Sequence, residues 1–124
     1  MIRLELTWPP STNRTWRHAR GRTYLPKEVK LFRASVYSIV LAEKARCQLV
    51  GLPLCGDLEA IITLHPPDKR RRDEDNFAGK ALFDALTLAG VWGDDSQIRR
   101  KIVEWGGIIK DGKVVVEIKS MEKK

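Results

Sequence analysis

The run Lys69-Arg70-Arg71-Arg72-Asp73-Glu74-Asp75-Asn76 sets four cations directly against an acidic cluster. Cations alone would hold phosphate, and carboxylates alone would repel it. Together they make sense where a divalent cation sits between the carboxylates and a phosphate. Mg²⁺ suits such a place: it prefers hard oxygen ligands, keeps several waters and is held by a few carboxylates plus substrate oxygens. Bound there, it would polarise a phosphoryl oxygen and lower the pKa of water. The chemistry indicated is phosphodiester hydrolysis. A plainer reading makes Asp73 or Asp75 a helix cap and the four cations a solvated surface, since short D-x-D patterns are frequent.

A second acidic pair, Asp94-Asp95, follows Gly93; Gly-Asp is also ordinary turn chemistry. The stretch 13–24 interleaves Arg14, Arg17, Arg20 and Arg22 with Trp16 and Tyr24. Arginines can contact phosphates, and aromatic rings can stack on unpaired bases. Alternatively, Trp16 and Tyr24 pack back onto the core. His18 and His65 are far apart and carry no partner pattern of metal ligands. With no Ser-His-Asp set, Cys-His pair or phosphate-cradling glycine loop, the expected nucleophile is water.

Elements must position these residues. Ile2, Leu4 and Leu6 alternate with Arg3 and Glu5, predicting a strand over 2–7. Pro9 and Pro10 stop it, and 8–25 reads as a long loop. Pro26 suits a first helical turn. Val29, Phe32, Val36, Ile39 and Val40 then follow at helical spacing, predicting a helix over 26–47. Leu58–His65 reads as a strand and 76–89 as a second helix. Its apolar side is Ala78, Ala81, Leu82, Ala85, Leu86 and Ala89, with Asn76, Lys80, Asp84 and Thr87 opposite and Gly90 as its stop. Strands over 97–105 and 113–119 are joined through Lys110-Asp111-Gly112, where Asp-Gly is a hairpin signal. The expected fold class is α/β (or α+β): a single mixed sheet with two helices, order β-α-β-α-β-β.

Composition agrees with one globular domain over 1–120 and a loose tail at 121–124. The chain has 124 residues, 43% of them hydrophobic, enough for one core and too short for two. Twenty-three Lys and Arg against 16 Asp and Glu give a net charge of +7. That balance favours a polyanionic partner, nucleic acid first. No apolar run approaches the roughly 20 residues of a membrane span, and residues 1–5 lack signal-peptide architecture. Cys47 and Cys55 read as reduced, structural cysteines of a cytoplasmic, intracellular protein.

Four stretches in succession then carry a family resemblance over about residues 2–120. Trp8-Pro9-Pro10-Ser11-Thr12-Asn13-Arg14, continued by Arg17-His18 and Arg20-Gly21-Arg22-Thr23, resembles the opening motif of the RusA family of Holliday-junction resolvases. Pro67 to Asn76 resembles its acidic core, Lys80 to Leu86 its second helix, and Trp92 to Gln97 its final acidic motif. The resemblance implies a dimeric endodeoxyribonuclease that resolves four-way DNA junctions with Mg²⁺, or Mn²⁺ in its place, and no small-molecule cofactor. It carries the metal-holding carboxylates onto Asp73, Asp75 and Asp95, and a functional lysine onto Lys80. An apolar patch at the sheet edge or on the first helix around Val36 and Val40 is the expected dimer interface. Asn13, Arg14, Arg17, His18, Arg20, Arg22, Arg70, Arg71, Arg72 and Asn76 are the expected DNA contacts. Alternatives are a broader nuclease acting on flaps or forks, and a non-catalytic DNA- or RNA-binding protein whose acids are caps. In one place the chain departs from the family. The family lysine follows the second Asp by four residues, where this chain has Gly79, and Lys80 comes fifth. On a regular helix that is a 100° rotation, which a π-bulge at Gly79 or a shifted helix start would absorb. Asp84, one turn further along, is expected to support Lys80 by an i,i+4 contact.

Overall fold

The computed structural model describes residues 2–10, 17–19, 22–24, 26–45 and 52–121, with backbone only at 17–19, 22–24, 75 and 76. Along the chain run β1 (Ile2–Leu6), β2 (Arg17–Ala19), β3 (Arg22–Tyr24), α1 (Lys27–Ala45), β4 (Leu58–His65), α2 (Glu74–Phe77), α3 (Lys80–Leu88), a 3-10 turn (Asp95–Gln97), β5 (Ile98–Trp105) and β6 (Lys113–Ser120). The main sheet has the order β1-β6-β4-β5. Strands β4 and β5 are parallel and the other two pairs antiparallel. This is the expected mixed sheet with helices packed on it.

The helices cover one face. Leu58, Ala60, Ile62 and Leu64 alternate along β4 and are fully buried, as are Leu4, Leu6, Val114, Val116 and Ile118 on the neighbouring strands. Against them α1 sets Val29, Phe32, Val36 and Val40, and α3 sets Ala81, Leu82, Ala85 and Leu86. Each large aliphatic side chain so buried contributes about 1.5–3 kcal/mol. On the opposite face Glu59, the one buried charged side chain among the described residues, lies 3.4 Å from Arg100 and 3.3 Å from Lys119.

Four sequence expectations need correcting. Residues 8–25 are not all loop, because β2 and β3 pair there, Arg17 with Tyr24 and Ala19 with Arg22. The second helix is interrupted: α2 ends at Phe77, α3 begins at Lys80, and Gly79 at φ −114°, ψ −138° stands between them. Asn76 therefore does not share a helix face with Lys80. Strands β5 and β6 form no hairpin, since β4 lies between them. The all-apolar face of β4 takes a partner on each side, so 106–112 must cross over its end. The Asp111-Gly112 signal is nevertheless real as a local turn, with φ +69° and +78° and a 2.8 Å bond from the Gly112 amide to the Ile109 carbonyl. Finally, Val36 and Val40, natural candidates for an intermolecular patch, are buried in the chain's own core; Tyr37 and Leu41 are the exposed apolar residues of α1.

Candidate active site

Residues 66–73 leave the His65 end of β4, and several contacts fasten them there. The Ile109 amide donates to the Pro66 carbonyl at 3.0 Å, and the Gly106 amide to the Leu64 carbonyl at 2.8 Å. Trp8, just beyond β1 at the same end, lies 5.0 Å from Phe77 between ring centroids and 5.8 Å below the Arg72 guanidinium. Asp73 is held between those two anchors, Arg72 and Phe77, at the start of α2.

The four cations divide by what they do. Arg72 donates to Asp68 Oδ1 at 2.8 Å and to the Asp68 and Arg70 carbonyls at 3.3 and 3.0 Å, leaving its side chain only 9% exposed. These bonds shape the loop. The Arg70 amide and the Arg72 side chain hold the Asp68 carboxyl down to a pKa of about 2. Lys69, Arg70 and Arg71 remain exposed, and a polyanion can reach them.

Lys80 opens α3, with Nζ 3.6 Å from Asp84 Oδ2, and Arg33 on α1 approaches the same oxygen to 3.8 Å. The i,i+4 support expected from Asp84 is present. Arg33 is a partner that no local spacing picks out, because α1 meets α3 only in the packed fold. The chain breaks at Gly79, and α3 starts afresh at Lys80.

At the far end of α3, Gly90 adopts φ +83° and stops the helix. Gln97 then organises the second acidic segment. Its Oε1 accepts from the Gly93 and Asp94 amides at 2.9 and 3.0 Å, and its Nε2 donates to the Leu54 and Gly56 carbonyls at 3.0 and 2.9 Å. Asp94 accepts a 2.6 Å bond from the Ser96 hydroxyl, which lowers its pKa. Asp94 is thereby a turn residue, and Asp95 is the acid left for other work.

The register fixes where these acids stand. Leu58 pairs with Ile98 and Leu64 with Trp105. Asp95, three residues before Ile98, therefore sits at the Leu58 end of the ladder, whereas Asp73 sits at the His65 end. Seven strand residues separate the ends by roughly 20 Å at 3.3 Å each. Among the described residues no three His, Cys, Asp or Glu side chains gather at metal-binding distance. Asp75 lies in α2 and Asn76 beside it, but their side chains are outside the described residues, as are those of Arg17, His18 and Arg22 and all of Asn13, Arg14 and Arg20. Cys55 is exposed, not packed, and forms no disulfide; Cys47 is outside the described residues. Among the described residues no helix is long and apolar enough to cross a membrane.

The family model for endodeoxyribonuclease RusA matches residues 7–119. The crossover junction endodeoxyribonucleases RusA of Enterobacteria phage 82, Shigella sonnei and Escherichia coli K12 are each 39% identical to the chain over 118 residues. Those alignments cover 95% of this chain and 93% of each relative. With its motifs in the family's order and the match running nearly end to end, the chain belongs to the RusA family of endodeoxyribonucleases.

Proposed function

We propose that the protein resolves four-way DNA junctions by paired, metal-dependent hydrolysis of phosphodiesters. The observation that carries this reading is the junction of exposed Lys69, Arg70 and Arg71 with Asp73 at the end of β4, in a chain so similar to crossover junction endonucleases.

Asp73 and Asp75 offer hard oxygen donors two residues apart at one end of the sheet, which suits Mg²⁺ or Mn²⁺. Within one chain Asp95 is a sheet's length away, far beyond direct coordination at 2.0–2.1 Å. A two-fold axis across the ladder reverses one subunit against the other. It brings the Asp95 end of each to the Asp73 end of its partner and makes two identical sites at once. The homodimer is then a condition of the chemistry as well as of the paired cut. Tyr37 and Leu41 on α1 and Leu88 on α3 offer exposed apolar surface on the helix side for such an assembly.

A bound cation supplies Lewis acidity to the phosphoryl oxygens and makes nearby water more acidic. The chain's own residues do the rest. Lys69, Arg70 and Arg71 hold the backbone. Lys80, steadied by Asp84, offers its ammonium to the oxygens of the scissile phosphate. Asp95 completes the carboxylate set from the facing subunit.

Nicking of a synthetic four-way junction, a flap and a linear duplex, each with Mg²⁺ and with chelator, tests the reading. Paired metal-dependent cuts confined to the junction support it. Equal cutting of the flap points to a broader nuclease, and binding without cutting to a DNA-binding protein.

A further inference from the structure

The crossing of 106–112 over the end of β4 leaves a cleft that shares Lys69, Arg70 and Arg71 with the site above and adds a wall, Trp105 and Ile108, which that site does not use. It is open, about 420 Å³, and its lining includes Asp68, Lys69, Arg70, Arg71, Trp105 and Ile108. Along β5, Lys101 lies over the Phe83 ring of α3 at 4.9 Å and Val103 packs on the core. By the two-residue period of a strand, Trp105 points to the same, helix-bearing face. The helix layer does not cover it there, so Trp105 is 43% exposed and Ile108 50%. A tryptophan left this open in a domain that buries Trp92 almost completely is a surface without its partner.

The chemistry of the walls names that partner. A flat aromatic face flanked by three exposed cations fits a group that is both planar and anionic. The acid in the lining is already neutralised, since Asp68 is paired with Arg70 at 3.3 Å and Arg72 at 2.8 Å. The walls are also held in place: the His65 Nδ1–H donates to the Gly107 carbonyl at 2.9 Å, beside the Ile109-to-Pro66 bond. From this we propose that the cleft takes one unstacked nucleobase of the DNA, stacked on Trp105, with its phosphate on Lys69, Arg70 or Arg71. This deepens the junction reading and rests on it. A paired base inside a duplex cannot reach Trp105. A base at a branch point is the cheapest to extrude, because unstacking costs least where pairing and stacking are already interrupted. One strand of the loop joins this cleft to Asp73, so the stacked base fixes which phosphate lies over the acids.

The test needs no catalysis. Four-way junctions carrying a single 5-iodouracil, either beside the branch point or in mid-arm, are bound to the protein in chelator, irradiated, and the cross-linked peptide is mapped. Cross-linking to Trp105 from the branch-point position and not from mid-arm is expected. Trp105→Ala should weaken junction binding about tenfold, within the range for loss of one base–aromatic stack, with the salt dependence unchanged and Trp105→Phe retaining most of the affinity. Two results would overturn the proposal: intact junction binding with no branch-point cross-link at Trp105, or a Trp105→Ala protein that binds as tightly as the parent. Absence of any preference for the junction over duplex defeats the functional reading itself, a separate outcome.

Discussion

Asp73 and Asp95 stand at opposite ends of the same parallel ladder. Asp95 precedes Ile98, the partner of Leu58, and Asp73 follows the loop fastened to the His65 end. A β-α-β crossover makes this unavoidable, because the helix between two parallel strands returns the chain to the end at which the first strand began. Under the proposed function, two acidic motifs that flank such a helix would meet only between two copies of the chain.

Arg71 and Arg72 are adjacent in sequence and should behave oppositely. Arg71→Ala should lower junction affinity and reduce the slope of log K against log salt by about 1, as for one lost phosphate contact. Arg72→Ala should lower thermal stability, and Arg72→Lys should not restore it, because only a guanidinium reaches Asp68 Oδ1 and two carbonyls together. Arg17→Ala, Arg20→Ala and Arg22→Ala are expected to follow the Arg71 pattern. An unchanged salt slope for all three would remove 17–24 from the DNA surface.

Gly106 is required by close approach. A Cβ there would stand 2.3 Å from His65 Cε1 and 2.5 Å from Nδ1, and the ring is tied to the Gly107 carbonyl. Gly106→Ala should cost about 1–3 kcal/mol, the usual penalty for overpacking. In a double-mutant cycle His65→Ala should recover much of it. Additive losses in urea unfolding would contradict the contact.

Asp68 sets a pH window. Its folded pKa, about 2, lies below the ordinary carboxylate value, so its stabilising contribution is complete above pH ~4. It is lost as pH falls through about 2. Asp68→Asn should flatten the stability profile between those values. A carboxyl titration of Asp68 by NMR with a midpoint near 4 would refute the assignment.

How much of this was legible beforehand follows from range. Strand β4, helix α1 and the stop at Gly90 are local patterns, and periodicity or a single glycine announces them. The Lys80–Asp84 pair was readable from spacing, whereas the choice of Lys80 and of Asp95 as site residues came from the family resemblance. Arg33 beside Asp84, Trp8 beneath Arg72 and Trp105 in one cleft with Arg71 were not readable, because each joins elements whose adjacency is decided by the sheet order. The false hairpin at Asp111-Gly112 has the same cause. Turn chemistry is local, but the choice of β4 as the strand between β5 and β6 is made by burial of the whole apolar strand.

The shared site is tested most directly by mixing two inactive proteins. Asp73→Asn and Asp95→Asn should each abolish cutting while leaving junction binding intact, since removing a negative charge cannot weaken attraction to phosphate. Random exchange of subunits makes about half of the dimers mixed. If each site draws Asp73 from one subunit and Asp95 from the other, a mixed dimer carries one doubly defective site and one intact site. The account predicts that mixing restores metal-dependent nicking, one strand per junction, and restores Mn²⁺ binding at one site per mixed dimer. Activity that stays absent after confirmed subunit exchange would mean that Asp73 and Asp95 act within the same chain, and would contradict the account.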